Sequence, residues 1–223
     1  MGPLVFERRL FLSKLCKSFI VLSPTVLNIA NSTEKKDQGR VVIPGQKLIF
    51  PRDFGAHYSY GIEWWYVTGW LRDKSDKEFA YQLTFFRRKT FIGENNLSRF
   101  TPKHLVFVHA TVISKELGGL RSAQKAGRLG SGLVSCSTKD TALKFENWFM
   151  IRQKIPDSYK INVRSKEFSF ALKLLPPAKT KNLILRGEAG FSKKGPEDSQ
   201  ASWYYSRPNL DTQGLLEIEG KSI

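Results

Sequence analysis

From about residue 47 onward, apolar and polar positions alternate in short runs separated by polar turns. A period of two places successive side chains on opposite faces of an extended chain, so the pattern predicts strand after strand. Ile62–Arg72 is the first strong run, and 78–90 is the second. In the second, Phe79, Tyr81, Leu83 and Phe85 alternate with Ala80, Gln82, Thr84 and Phe86. The polar R-D-K-S-D-K between the two runs reads as a hairpin loop. Residues 105–114 form an apolar, β-branched run, and shorter strands are expected near 132–137, 142–147 and 149–154. Residues 159–164 and 167–175 pair around the turn Ser165-Lys166, and Pro176-Pro177 ends the second of them. Final strands are expected at 183–186, 203–207 and 215–219. The Gly-, Arg-, Lys- and Ser-rich stretch 115–131 breaks the alternation and predicts a long loop.

No amphipathic helix longer than two turns is expected after residue 40, and no internal repeat is visible. Many short antiparallel strands joined by polar turns predict an all-β sandwich or barrel. Aromatic residues on both faces of the strands favour a barrel that holds a ligand. Residues 1–30 read differently. Arg8 and Arg9 precede L-F-L-S-K and a mostly apolar run from Phe19 to Ala30, which is the pattern of an export signal of twin-arginine type. Bounded by Lys17 and broken by Pro24, the apolar stretch is too short and too interrupted for a good membrane span. Residues 31–46 are polar and read as a linker, so the folded domain is expected over 47–223 and an exported, periplasmic or membrane-associated location is expected.

Composition changes this picture little. At 223 residues with a hydrophobic fraction of 41%, the chain is long and apolar enough for a real core. The formal charge of +16 favours anionic surfaces, but the basic residues are scattered and form no nucleic-acid arm. A nucleic-acid partner is therefore not expected. Cys16 and Cys136 make no disulfide framework, and His57, His104 and His109 lack zinc spacing. No metal and no cofactor is expected, and no Walker loop, dinucleotide fingerprint or Ser/His/Asp order appears.

Candidate chemistry concentrates between Phe50 and Arg72. That stretch holds three of the 5 tryptophans, with Arg52, Asp53, His57, Glu63 and Tyr66 among them. A carboxylate inside an aromatic run is costly unless paired, so it marks either a site or a buried network. Four motifs carry a family resemblance: F-P-R-D-F-G-A-H at 50–57, E-W-W-Y-V-T-G at 63–69, Q-L-T-F-F-R at 82–87 and V-H-A at 108–110. With G-F-S-K-K-G-P at 190–196 and S-W-Y-Y-S-R-P at 202–208, they resemble the carotenoid 1,2-hydratase and AttH-like proteins. The resemblance implies a lipocalin-like antiparallel β-barrel, normally the first of two in tandem, with the second barrel expected beyond this sequence.

The resemblance also implies an extended apolar ligand such as a carotenoid, isoprenoid or other lipid. Hydration of an isolated alkene needs an acid, a stabilised carbocation and a capturing water. A carboxylic acid in an apolar pocket can supply the proton, and aromatic faces stabilise the cation. Glu63, Asp53 and His109 are the candidate catalytic residues. Trp65, Tyr66, Gln82, Thr84, Phe86 and Tyr204 are the candidate ligand contacts. Each has a structural alternative: Glu63 tied to Arg87 or Arg52, Asp53 paired with Arg52, His109 a satisfied core histidine. Three functions stay open at this point: a cofactor-independent hydro-lyase, a non-catalytic exported lipid-binding protein, and a basic module on anionic membrane surfaces.

Overall fold

The structure, a computed structural model, describes residues 39–115, 117–177, 183–197 and 199–222. The expected leader 1–30 and most of the expected linker lie outside the described residues. Within the latter, Gly39 and Arg40 bridge to Tyr60.

Two antiparallel sheets pack around one core. The first takes β1 (Ile62–Arg72), β2 (Glu78–Lys89), β3 (His104–Ser114) and β4 (Gly119–Arg128) in sequential order. The second is seven-stranded. It contains β5 (Val134–Cys136), β6 (Ala142–Phe145), β7 (Trp148–Lys154), β8 (Asp157–Arg164), β9 (Phe168–Leu175), β14 (Asp211–Ile218) and β15 (Lys221–Ser222). Between β9 and β14 lie two small ribbons. One pairs β10 (Ile184–Leu185) with β13 (Tyr205–Ser206), and the other pairs β11 (Phe191–Lys193) with β12 (Ala201–Trp203).

Strand parity decides which residues make the core. On β2 the odd positions Phe79, Tyr81, Leu83 and Phe85 are buried, and they oppose Leu71, Gly69, Val67 and Trp65 of β1. On β3 the even positions Val106, Val108, Ala110 and Val112 are fully buried. The second sheet answers with Trp148, Ile161, Phe170 and Leu174. Burying such side chains stabilises the fold by about 1.5–3 kcal/mol each before entropy is counted.

Two expectations are corrected. The stretch 115–131 is not a long loop, because β4 occupies most of it and pairs with β3 from Leu105↔Arg128 to Ser114↔Gly119. It escaped the hydrophobic pattern because it is an edge strand with little apolar surface. Its core side carries Ala123 and Gly127, the latter lying under the Phe145 ring, and two basic residues. Those two are held by acids: Arg121 reaches Glu167 and Glu219, and Lys125 bonds Glu146.

The second correction concerns closure. The expected barrel is not closed: among the described residues no ladder joins β1 to β14 or β4 to β5. The chain between β9 and β14 folds into the two ribbons instead of a strand that would pair with both edges. Side chains span the opening. Tyr81 crosses over Gly69, whose Cβ, if present, would meet the Tyr81 hydroxyl at 2.9 Å, and that hydroxyl lies 3.2 Å from Thr212 Oγ1 on β14.

Parity can be tested by truncating neighbours on one strand. Phe85→Ala removes a fully buried ring and should lower unfolding stability by about 3–5 kcal/mol. Phe86→Ala, on the outer face, should cost about 1 kcal/mol or less. Urea denaturation of both variants checks the order, and an equal loss would contradict the assignment of faces.

Candidate functional site

The segment from Ile49 to Gly61 folds against the start of β1 and brings charged groups together. A single 3-10 turn, Arg52–Phe54, buries Asp53 and Phe54. Phe54 is fixed by rings on both sides: Phe50 at 4.5 Å and Tyr205 at 5.4 Å between centroids. Its carbonyl accepts from Trp65 Nε1 at 3.0 Å and Thr141 Oγ1 at 3.2 Å, which anchors the turn to both sheets. Gly55 is required by close approach, since a Cβ there would lie 2.7 Å from the Thr138 carbonyl carbon.

The polar network runs from this turn into the sheet. Asp53 accepts from Arg52 Nε at 2.6 Å and from the main-chain N–H of Ile49 at 2.6 Å. His57 stands between two carboxylates, with Nε2 at 3.1 Å from Asp53 and Nδ1 at 2.8 Å from Glu63. Both ring nitrogens therefore donate, which is the doubly protonated imidazolium. The His57 main-chain N–H also donates to Glu63 at 2.9 Å. Arg87 lies opposite Glu63 in the β1–β2 register and is 0% exposed. Its Nε and Nη2 each lie 2.8 Å from Glu63 Oε2. Its remaining donors go to His104 Nδ1 at 3.0 Å and to the carbonyls of His57 and Tyr60.

These contacts set the titration behaviour. The Glu63 hydrogen bond, opposed by burial and reinforced by Asp53, raises the pKa of His57 above its ordinary value. Burial pushes Asp53 up, but hydrogen bonds from Arg52, Ile49 and His57 outweigh it and hold the carboxyl below its ordinary value. Burial, then the charges of Arg87 and Lys89, push His104 down to about 4, so it is the neutral acceptor that Arg87 requires. Every neighbour that Glu63 contacts here is a donor, so its place in the network is that of an acceptor. The carboxylate oxygens and ring nitrogens of Asp53, His57 and Glu63 are turned on one another and on the two arginines.

Beside the network runs a cleft of about 790 Å³. It follows β1 from Ile62 to Trp70 and is walled on the other side by residues 201–212. Its floor reaches between the sheets to Met150, Ile161 and Leu174. Tyr66 and Tyr204 meet at its rim, hydroxyl to hydroxyl at 2.6 Å. Burial and then that bond push the Tyr66 phenol up to about 12.

A profile of AttH-like proteins matches residues 41–223. The chain belongs to the AttH-like family. Among solved structures it is similar to a Nitrosomonas europaea protein provisionally described as an AttH. The identity is 37% and the TM-score 0.72, over 82% of this chain and 54% of that one. This chain thus spans about half the length of that relative. A search of curated proteins returned no match.

In the AttH-like domain the candidate residues named from sequence separate by face. Asp53, Glu63, Trp65, Tyr66 and Tyr204 line the cleft. Gln82, Thr84 and Phe86 do not: on β2 they oppose Thr68, Tyr66 and Trp64, one strand further from the cleft and on the outer face of the first sheet. His109 opposes Thr84 on that same outer face, with its ring 5.8 Å from Phe86, and burial lowers its pKa. It is not part of the charged network. His57 and His104 are; the sequence marked His57 among the groups able to do chemistry without assigning it a part, and gave His104 none. The signal for His104 was available: it shares even parity on β3 with the buried valines.

The two shifts give a stability window. His57, raised in the fold, contributes stability that is complete below its unfolded pKa near 6.5 and is lost as pH rises through the folded value. Asp53, lowered in the fold, contributes above 3.8 and is lost as pH falls through its folded value. Stability from this network should peak between those limits. His57→Gln should remove the alkaline fall in urea titrations at a series of pH values. Arg87→Met, which removes the arginine's two bonds to Glu63, should cost about 3–5 kcal/mol at neutral pH.

Proposed function

We propose that this AttH-like domain binds an extended, largely apolar molecule, an isoprenoid, carotenoid or other lipid, in the cleft beside β1. The observation that supports this most is the cleft's make-up. Trp64, Trp65, Trp70 and Trp203 line it, and Trp65 shares the interior with an apolar floor of Met150, Ile161 and Leu174. Its volume of about 790 Å³ suits a ligand of that size. The charged network stiffens one end of the cleft and Tyr66 with Tyr204 forms the rim. In this reading the domain is exported, and its basic surface favours work near anionic membranes.

A second reading, a hydro-lyase of carotenoid 1,2-hydratase type, is favoured by His57. It is the cationic acid of the network and it lines the cleft, with its side chain 31% exposed. Released from one carboxylate, its N–H would protonate an alkene carbon. The π electrons form the new C–H bond and leave a tertiary cation beside the tryptophan faces. Water then adds to the cation and returns a proton to the imidazole, so no cofactor is consumed. Glu63 and Asp53 would orient the ring.

Native mass spectrometry of the purified chain, followed by organic extraction and by titration with added polyene, tests both readings. A retained apolar molecule and saturable quenching of tryptophan fluorescence are expected. Tyr66→Ala should weaken retention several-fold by opening the rim. A chain that is empty and retains no polyene would refute the binding reading. For the second reading, His57→Gln should abolish hydration of a bound polyene while leaving its retention unchanged.

A further inference from the structure

We propose that the edge of β1 from Ile62 to Thr68 is a strand-addition site, which takes an extended segment of a partner polypeptide in antiparallel pairing. The phase of the β1–β2 ladder carries the argument. Lys89 N–H donates to the Gly61 carbonyl at 2.8 Å, which makes Gly61 and Lys89 a hydrogen-bonded pair. Such pairs recur at every second residue. Glu63, Trp65 and Val67 therefore direct their main-chain groups to β2, while Ile62, Trp64, Tyr66 and Thr68 direct theirs away from it. The other side of β2 agrees: Thr90 N–H donates to the Lys103 carbonyl, so the even residues of β2 pair with β3. Among the described residues, no main-chain or side-chain group bonds the main chain of Ile62, Trp64, Tyr66 or Thr68.

An unpaired edge of this kind is a template for another strand, and folds blunt such edges with prolines, bulges or inward-pointing charges. The opposite edge of this sheet is blunted in that way. On β4, Arg121 and Lys125 point inward and are held by Glu167, Glu219 and Glu146. β1 has one inward-pointing charge, Glu63, at its start, and no other such device after it. From Trp64 to Leu71 it carries no charge and no proline, and it reads W-W-Y-V-T-G-W-L.

The cleft decides what kind of occupant fits. It runs along β1 from Ile62 to Trp70, and residues 201–212 face it from the other side. A single extended strand enters such a groove, whereas the edge of another folded sheet is blocked by that wall. Donors and acceptors repeating at every second residue match a polypeptide main chain and not a lipid tail. Cross-strand partners share a face. The side chains of Ile62, Trp64, Tyr66 and Thr68 face outward, so the pairing residues of the segment also face outward. Its intervening residues point to the apolar floor. With a chain charge of +16, outward acidic residues and inward aliphatic ones are the complementary pattern. This inference does not rest on the lipid reading. An added strand would roof the floor where that ligand is proposed to lie.

The test uses the full chain and a synthetic peptide of alternating valine and glutamate. Tryptophan fluorescence should report saturable binding, and the amides of Trp64, Tyr66 and Thr68 should exchange with solvent more slowly when the peptide is present. N-methylation of the glutamate amides should weaken binding about tenfold or more, because it removes several main-chain bonds. N-methylation of the valine amides should leave it within about twofold. Thr68→Pro should weaken binding about tenfold while the melting temperature stays near that of the unaltered chain, since proline is tolerated on a free edge. Thr68→Val should bind as before. No binding, or equal loss for both methylated peptides, would overturn the proposal. So would amides at Trp64, Tyr66 and Thr68 that exchange slowly without peptide, because the edge would then be covered by the chain itself or by a second copy. Polyene retention enters none of these readouts, so the two readings fail separately.

Discussion

A guanidinium with no exposure to water must find all its partners inside the protein, and Arg87 does so. Its charge meets Glu63 across the β1–β2 ladder, and its other donors meet His104 and two main-chain carbonyls from the His57–Tyr60 turn. A desolvated cation with a missing partner is among the more costly defects a fold can contain. The turn cannot leave the sheet without creating one. Through His57 the same constraint extends to Asp53, and through Phe54 it extends to Trp65 and Thr141. One arginine thus ties an irregular loop, which has no regular ladder of its own, to the rigid part of the fold.

That attachment shapes the cleft. The 3-10 turn and the network close one end beside β1, while the ribbons and residues 201–212 form the facing wall. Because β1 and β14 do not pair, the interior opens at the side, and strand edges border the opening. The two functional proposals follow from different parts of this one gap. The apolar floor suits a hydrocarbon, and the periodic main-chain groups of β1 suit an extended polypeptide.

The split of the aromatic residues between faces has a further consequence. Trp64, Tyr66, Trp70, Phe86 and Phe107 lie on the outside of the first sheet, with Trp70 60% exposed. Richness in aromatic residues on both strand faces was the argument for a closed ligand barrel. In the fold those residues divide between an interior and an outer surface, so the same composition builds two environments.

Much of the secondary structure was legible in the sequence because burial on one face imposes a period of two. Ile62–Arg72, the second strand and the hairpin about Ser165 follow from that pattern almost to the residue. β4 was hidden because an edge strand packed through glycine, alanine and salt-bridged basic residues shows no apolar alternation. Candidate acids and their pairing options were also legible, since a carboxylate among tryptophans must be compensated. Which option holds was not. The choice of Arg87 and His57 as partners of Glu63 depends on cross-strand register and on a loop folding back, and neither leaves a periodic signal. The same limit applies to His109 and His104. Local sequence places His109 on the strand expected over 105–114 and leaves His104 just before it, and only the packing of the second sheet decides which parity faces inward. Closure of the barrel was decided last, by contacts between residues far apart in the chain, where local pattern carries no information.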